Sequence, residues 1–130
     1  MAERSVTTRW EGGYRMTTEV RGFSLTADEP PPAGEDTGPM PTELFLTALA
    51  SCFGMAVAAA AHRRGPDLPD LEVTATGTYD GPRFSHLRVV VRSSVGPEQL
   101  EPLLERAVHG CYISNTLLRP PTMEFAVDPT

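Results

Sequence analysis

One uncharged segment constrains the fold of this chain more than any other feature. Residues 44–61, LFLTALASCFGMAVAAAA, run for 18 residues without a charged side chain. Pro41 and Glu43, just before it, are typical of a first helical turn, and Gly65-Pro66 follows as a stop signal. The pattern predicts one helix from Pro41 to about Arg64. Because this helix is apolar almost all round, we expect it to be buried on nearly every side.

A run of this length also meets the minimum for a membrane span. Seven of its residues are alanine, however, and Thr47, Ser51 and Gly54 dilute it further. The opening segment, MAERSVTTRW, lacks the basic region followed by an apolar region that is typical of a signal peptide. We therefore interpret the run as a core helix, and expect a cytoplasmic protein that has no membrane partner.

The overall composition is that of one globular domain. A length of 130 residues is enough for a substantial core, so we expect a single domain over residues 1–130. There are 11 basic and 17 acidic side chains, which gives a net charge of -6. An acidic chain without a block of basic residues is not expected to bind nucleic acid.

Strand patterns lie on both sides of the long helix. Residues 4–20 are rich in β-forming side chains interrupted by Gly12-Gly13, and residues 21–30 continue as a further strand after a hairpin turn at Arg21-Gly22. Residues 30–41 form a Pro/Gly loop. The remaining predicted elements are a hairpin over 70–79 and 83–95 that turns at 80–82, a helix from 97 to 110, a helical turn over 114–118, and a last strand, TMEFAV.

This order, ββ–α–ββ–α–β, indicates an α+β fold in which helices pack on antiparallel sheets. One small sheet cannot cover a helix that is apolar on all sides. A partner subunit would cover the rest, so we expect an obligate dimer with this helix near the shared core.

The two cysteines, Cys52 and Cys111, admit four interpretations. Free cysteines often fill cores as small hydrophobic side chains. A zinc site is disfavoured because His109 accompanies Cys111 without a C-x-x-C motif. A nucleophile of the Cys/His type needs an oriented histidine, and none of the three histidines has such a context. A redox pair requires one ionised thiol and a second thiol that can reach it. Spacing alone does not decide among these.

Two motifs resemble a known family. The segment GPMPTELFLTALASCF, residues 38–53, resembles the first signature of the OsmC/Ohr family of thiol-dependent peroxidases. The segment CYISNTL, residues 111–117, resembles the second signature, in which a cysteine is followed shortly by Ser-Asn and an apolar residue. The loop DEPPPAGEDTGPMP, residues 28–41, is similar to that of the OsmC-like branch. The resemblance extends from about residue 14 to the end.

The resemblance implies an intertwined homodimer with antiparallel sheets, a long central helix and active sites at the subunit interface. It makes Cys52 the peroxidatic cysteine, which reduces an organic hydroperoxide to an alcohol, and Cys111 the resolving cysteine. An external dithiol, by family analogy a lipoylated protein, then reduces the disulfide. No metal or organic cofactor is implied.

The family also pairs an arginine with a glutamate at the start of the cysteine helix. Arg21 matches the position of the family's arginine, and Arg15 is the second candidate. This arginine would stabilise the thiolate and the departing oxygen. Glu43 is the available glutamate, but it lies nine positions before Cys52, and Thr42 occupies the family's position at ten. On an ideal helix, nine positions place Glu43 opposite Cys52. This departure keeps an alternative function open, a non-catalytic protein that binds a small ligand or senses redox state.

Overall fold

The structure is a computed structural model that describes residues 2–129, except for the side chain of Arg64. It contains helices and antiparallel sheets, which confirms the predicted α+β class. The chain forms two compact units, one up to Thr47 and one from Ala48 onward. Each unit is described by itself below.

The first unit contains a three-stranded antiparallel sheet in the order β1–β2–β3. The strands are β1 (Thr7–Trp10), β2 (Met16–Val20) and β3 (Phe23–Ala27). The predicted hairpin turn is confirmed, because Arg21 and Gly22 have φ angles of 49° and 88°, which suit a two-residue turn between twisted strands. Residues 4–20, which we described as one interrupted stretch, are two paired strands that reverse around Gly12 and Gly13.

A buried carboxylate fixes the Pro/Gly loop that follows β3. Asp28 is only 2% exposed. Its Oδ2 accepts hydrogen bonds from the Thr37 hydroxyl at 2.5 Å and the Thr37 N–H at 3.1 Å, and its Oδ1 accepts one from the Glu29 N–H at 2.7 Å. The Asp28 N–H donates to the Pro39 carbonyl, so both ends of the loop meet at this residue. At Gly34 a β-carbon would overlap the Glu29 carbonyl, so the loop closes only with glycine there.

We expect Asp28→Asn to lower the midpoint of thermal unfolding at neutral pH. The midpoint of the variant should also fall less than that of the wild type when the pH is lowered. The Thr37 hydroxyl, with the Glu29 N–H, lowers the pKa of Asp28 against the opposing effect of burial. A lowered pKa stabilises the fold above the pKa of an unfolded aspartate, about 3.9, and this contribution is lost as the pH falls through the folded-state value. Thermal scans at neutral and acidic pH measure the effect. Asp36→Asn, on an exposed residue of the same loop, is the control, and equal losses in both variants would contradict the assignment.

Helix α1 spans Pro41–Arg64, as predicted from its Pro and Gly-Pro boundaries. It begins where the Met40 carbonyl accepts the first helical hydrogen bond, from the Leu44 N–H at 2.9 Å. In the second unit its buried side chains recur every three or four residues, at Leu49, Phe53, Val57 and Ala60. That spacing places them on one face of the helix.

The second unit packs this face of α1 into its main core. A hairpin of β4 (Glu72–Asp80) and β5 (Arg83–Arg92) is antiparallel and turns at the predicted site, where Gly81 has a φ angle of 61°. Helix α2 (Pro97–Gly110) follows, then helix α3 (Tyr112–Leu118). Partly buried residues of both strands surround the core of this unit. The buried side chains of the core itself are Phe53, Val57, Ala60, Ala61, Leu103, Ala107 and Cys111.

Two predictions near the end of the chain are wrong. Helix α3 begins at Tyr112, two residues earlier than predicted, because Cys111 acts as its cap. The predicted last strand, TMEFAV, is not a strand in this structure, because no described strand pairs with residues 122–127. Its apolar side chains Met123, Phe125 and Val127 are 71%, 87% and 90% exposed.

The far side of α1 is also uncovered by the second unit. Met55 is 73% exposed, and Ala48, Ser51 and Ala59 are exposed as well. Residues 41–63 are long and apolar enough for a membrane span by length and composition alone, and 28% of an 18-residue stretch within them is buried. The expectation of burial on nearly every side is therefore not met within the described chain. A large apolar face remains open on the same helix that carries Cys52.

Candidate active site

Cys111 lies at the corner between α2 and α3. Its N–H donates to the Ala107 carbonyl at 2.8 Å, which closes α2, and its carbonyl accepts the first hydrogen bond of α3 from the Asn115 N–H at 3.0 Å. The Asn115 side chain donates to the carbonyls of His109 and Cys111 at 3.0 and 3.1 Å. The backbone around the thiol is therefore held from both sides.

The Cys111 sulfur itself caps α3. Ser114, in the first turn of that helix, donates to the sulfur from its N–H at 3.4 Å and from its hydroxyl at 3.2 Å. In most helices a serine, threonine or aspartate oxygen at this position accepts such a bond. Here a fully buried sulfur takes that role.

The two cysteines are in contact although 59 positions separate them in the sequence. Cys52 is half-buried beside the core face of α1 and packs against the cluster that includes Cys111. The Cys52 thiol lies close enough to the Cys111 sulfur to help lower the pKa of Cys111. Cys52 is thus partly exposed, whereas Cys111 is fully buried in the cluster against which Cys52 packs.

The hydrogen bonds at Cys111 favour its ionised form. Burial raises the pKa of the Cys111 thiol, but the Ser114 hydroxyl, the Ser114 N–H and the Cys52 thiol together lower it below the ordinary cysteine value. Donors aimed at a sulfur stabilise the thiolate, which is the reactive form of cysteine. The corner therefore holds a thiol that is more easily ionised than its burial alone would allow.

An apolar cavity of about 300 Å³ adjoins this corner. Ser114 is the hydroxyl-bearing residue of its wall, so the cavity touches a direct partner of the Cys111 sulfur. All of its lining residues belong to the second unit, and the others are apolar: Leu49, Phe53, Leu87, Val89, Leu104, Val108, Leu117 and Leu118. Such a cavity suits an alkyl or aryl group.

The predicted arginines lie in the first unit. Arg21 is exposed at the β2–β3 turn, with its guanidinium carbon 5.4 Å from the centre of the Phe23 ring, a cation–π contact. Arg15 is half-buried and lines a cavity of about 320 Å³ together with Glu11, Asp28 and Glu35. The Phe23 ring that Arg21 contacts and the cavity that Arg15 lines thus both belong to the first unit.

Glu43 belongs to the first unit and caps α1. Its Oε1 accepts a hydrogen bond from the Met40 N–H at 2.8 Å. This is one half of a capping box, in which the third helical residue bonds back to the residue before the helix. The contact gives Glu43 a structural role that needs no arginine.

Sequence reasoning missed the roles of Ser114 and Asn115. Both stand in the CYISNTL motif, and the adjacent polar pair just after the cysteine was the available signal. Their hydrogen bonds to the Cys111 sulfur and carbonyl became visible only in the structure. Within residues 2–129, no group of three or more His, Cys, Asp and Glu side chains could hold a metal ion.

Solved structures with the same fold come from several bacteria. A hypothetical protein from Aquifex aeolicus VF5 superposes with a TM-score of 0.76 at 17% identity, over 92% of this chain and 90% of that one. An OsmC-like protein from Mycoplasma pneumoniae has a TM-score of 0.75 at 19% identity, over 90% and 88%. An organic hydroperoxide resistance protein OsmC from Legionella pneumophila has a TM-score of 0.65 at 21% identity, over 90% and 91%.

The sequence itself carries the family signature. No curated protein matches this sequence. The profile of the family described as OsmC-like protein matches residues 34–126, a range that includes both cysteines, α1 and the corner between α2 and α3. This chain therefore belongs to the OsmC-like family, as its two cysteine motifs predicted.

Proposed function

We propose that this protein is a thiol-dependent peroxidase that reduces organic hydroperoxides to alcohols. The observation that carries the proposal is the contact between the Cys52 thiol and the Cys111 sulfur. Similarity to a protein named for organic hydroperoxide resistance adds support from the family. We assign Cys52 as the peroxidatic residue, because it is partly exposed whereas Cys111 is buried.

The first step oxidises Cys52. Its thiolate attacks the distal oxygen of the hydroperoxide, the O–O bond breaks, and the departing alkoxide takes a proton to become an alcohol. The sulfur keeps the distal oxygen as a sulfenic acid. The apolar cavity beside Ser114 would accommodate the organic group of the substrate.

The second step joins the two sulfurs. The Cys111 thiolate attacks the Cys52 sulfur, the S–O bond breaks, and the leaving hydroxide takes a proton to become water. An external dithiol, for which we propose a lipoylated protein, then exchanges with the disulfide and is itself oxidised. The protein returns to its starting state with no cofactor of its own.

We assign the charge-stabilising role to Arg21, with Arg15 as the alternative. Arg21 is exposed on a hairpin turn and contacts only the neighbouring Phe23 ring among the contacts described above, so we propose that its guanidinium reaches a thiolate in the assembled protein. Glu43 remains the proposed partner of this arginine, although its hydrogen bond to Met40 gives it a competing role.

We further propose that the protein is an intertwined homodimer in the cytoplasm, with the open face of α1 in the subunit interface. Met55 on that face is 73% exposed, far more than a core helix tolerates alone. The side chains Met123, Phe125 and Val127 of the C-terminal segment are similarly uncovered.

A non-catalytic protein that binds a small apolar ligand is the second candidate. The cavity of about 300 Å³ and the engagement of Glu43 in helix capping favour it. In that case the cysteines would serve in packing or redox sensing.

Mass spectrometry after treatment with one equivalent of cumene hydroperoxide separates the two candidates. A peroxidase should lose two hydrogens, show both thiols blocked to alkylation, and release one equivalent of alcohol. Reduction by dihydrolipoamide should restore the starting mass. Cys52→Ala should show no mass change, and an unchanged wild-type mass would favour the binding protein.

A further inference from the structure

Ser114 makes two contacts that the proposed reaction would use. Its hydroxyl and its N–H both donate to the Cys111 sulfur, at 3.2 and 3.4 Å. The same side chain forms part of the apolar cavity wall. Because a hydroxyl can rotate, it can follow the sulfur as the sulfur changes charge.

A buried resolving thiol has a particular difficulty. Cys111 has no exposed surface, and burial disfavours a thiolate. Without nearby donors, a buried thiol would attack an oxidised partner slowly, because the thiolate is the nucleophile. The donors from Ser114 remove much of this penalty at the atom that must react.

We propose that Ser114 is a positioning residue for disulfide closure: its hydroxyl holds the Cys111 sulfur, in its ionised form, against the oxidised sulfur of Cys52. This inference rests on the proposed thiol chemistry. In the step that it assists, the S–S bond forms, the S–O bond of the sulfenic acid breaks, and the released hydroxide takes up a proton. Ser114 exchanges no atom with either sulfur.

The groups around Cys111 make this role specific to Ser114. Cys52, from α1, is the titratable side chain that contacts the Cys111 sulfur. From α2, His109 is exposed and contributes its carbonyl to Asn115, and from α3, Tyr112 is exposed. The side chains that pack around this core from β4 and β5 are Val73, Val89 and Val91, which carry no charge. Removal of the Ser114 hydroxyl, which donates to the Cys111 sulfur, therefore tests this role while both cysteines stay in place.

The test compares closure rates in four reduced proteins: wild type, Ser114→Ala, Ser114→Thr and Thr116→Ala. Thr116 lies on the same helix, and its hydroxyl donates to the Tyr112 carbonyl at 2.7 Å rather than to sulfur, so it is the matched control. Each protein is oxidised with cumene hydroperoxide, quenched by alkylation at set times, and analysed for free thiols, Cys52 sulfenic acid and disulfide from about pH 5 to pH 9.

We expect Ser114→Ala to close about tenfold more slowly at neutral pH, as expected for the loss of one hydrogen bond to a charged group. Its rate–pH profile should shift to higher pH, and Cys52 sulfenic acid should accumulate. Ser114→Thr should restore the wild-type profile, and Thr116→Ala should match it. Identical profiles for wild type and Ser114→Ala would overturn the inference, as would a slowing that is equal at every pH, which indicates a structural defect alone.

A second arm separates this inference from the proposed function. Diamide oxidises thiols without a peroxide, and its adduct on Cys52 is also displaced by the Cys111 sulfur. If cumene hydroperoxide leaves the wild type unchanged but diamide closes the disulfide with the same dependence on Ser114, the peroxidase proposal fails and the role of Ser114 stands. If neither oxidant yields a Cys52–Cys111 disulfide, both are wrong.

Discussion

Cys52→Ser should reduce hydroperoxide turnover to the uncatalysed background, whereas Cys111→Ser should still consume one equivalent and then stop. A serine hydroxyl is far less ionised than a thiol at neutral pH, so it does not attack the O–O bond. In Cys111→Ser the first oxidation is retained, but no second sulfur remains to form the disulfide. Stopped-flow consumption of cumene hydroperoxide measures both effects, with dihydrolipoamide as reductant for Cys52→Ser and with no dithiol for Cys111→Ser, because a dithiol can reduce a sulfenic acid directly.

The two cysteine variants serve as controls for each other, because each leaves one member of the contacting pair in place. Cys111→Ser should accumulate a sulfenic acid that a dimedone-type reagent traps on Cys52. Full turnover by Cys52→Ser would reverse the assignment and make the buried Cys111, whose pKa is lowered by Ser114 and Cys52 against the effect of burial, the peroxidatic residue.

Met55→Glu should dissociate the proposed dimer. Met55 is 73% exposed on the open face of α1, and this face is where we place the partner subunit. A charge buried in an interface without a partner costs about 3–5 kcal/mol, which corresponds to a dissociation constant at least about a hundredfold higher. Sedimentation velocity over a dilution series measures the change.

Gln99→Glu is the matched control for this variant, since it adds the same charge at an exposed position of α2. It should leave the dimer intact. Circular dichroism of both variants shows whether the helices persist. A wild-type protein that sediments as a folded monomer at low concentration would contradict the shared-core argument, and Met55→Glu would then have no effect on mass.

The sequence predicted the elements whose boundaries depend on local chemistry. Pro41 and Gly65-Pro66 set the ends of α1, and the tight turn at Arg21-Gly22 required backbone angles that glycine adopts easily. The hairpin turn near Gly81 followed from the same reasoning. In each case the signal is contained in a few adjacent residues, so no knowledge of distant contacts was needed.

Features that depend on distant partners were missed. TMEFAV has the alternation of a strand, but a strand also needs a neighbour to pair with, and the described chain provides none. Helix α3 began early because a cysteine, which is not a usual cap, accepts the bond from Ser114. The contact between the two sulfurs arises from packing of α1 against the α2–α3 corner, and no spacing in the sequence encodes it.

The family motifs led to predictions about distant residues that local sequence signals could not give. They predicted that Cys52 and Cys111 act as a pair, and Cys52 packs against the buried cluster that contains Cys111; the redox role of the pair stays a prediction. They could not decide the role of Glu43, because a shift of one residue along a helix rotates a side chain by about 100°. The hydrogen bond from Met40 to Glu43 shows that this carboxylate already completes a helix start.

The use of a sulfur as the cap of α3 links chemistry to backbone conformation. The first amides of a helix have no partner within it, and here the Cys111 sulfur satisfies the amide of Ser114. A sulfur drawn into a disulfide becomes neutral and is a poorer acceptor than a thiolate. We therefore expect the proposed disulfide to weaken this hydrogen bond and loosen the first turn of α3, and reduction of the disulfide to restore it.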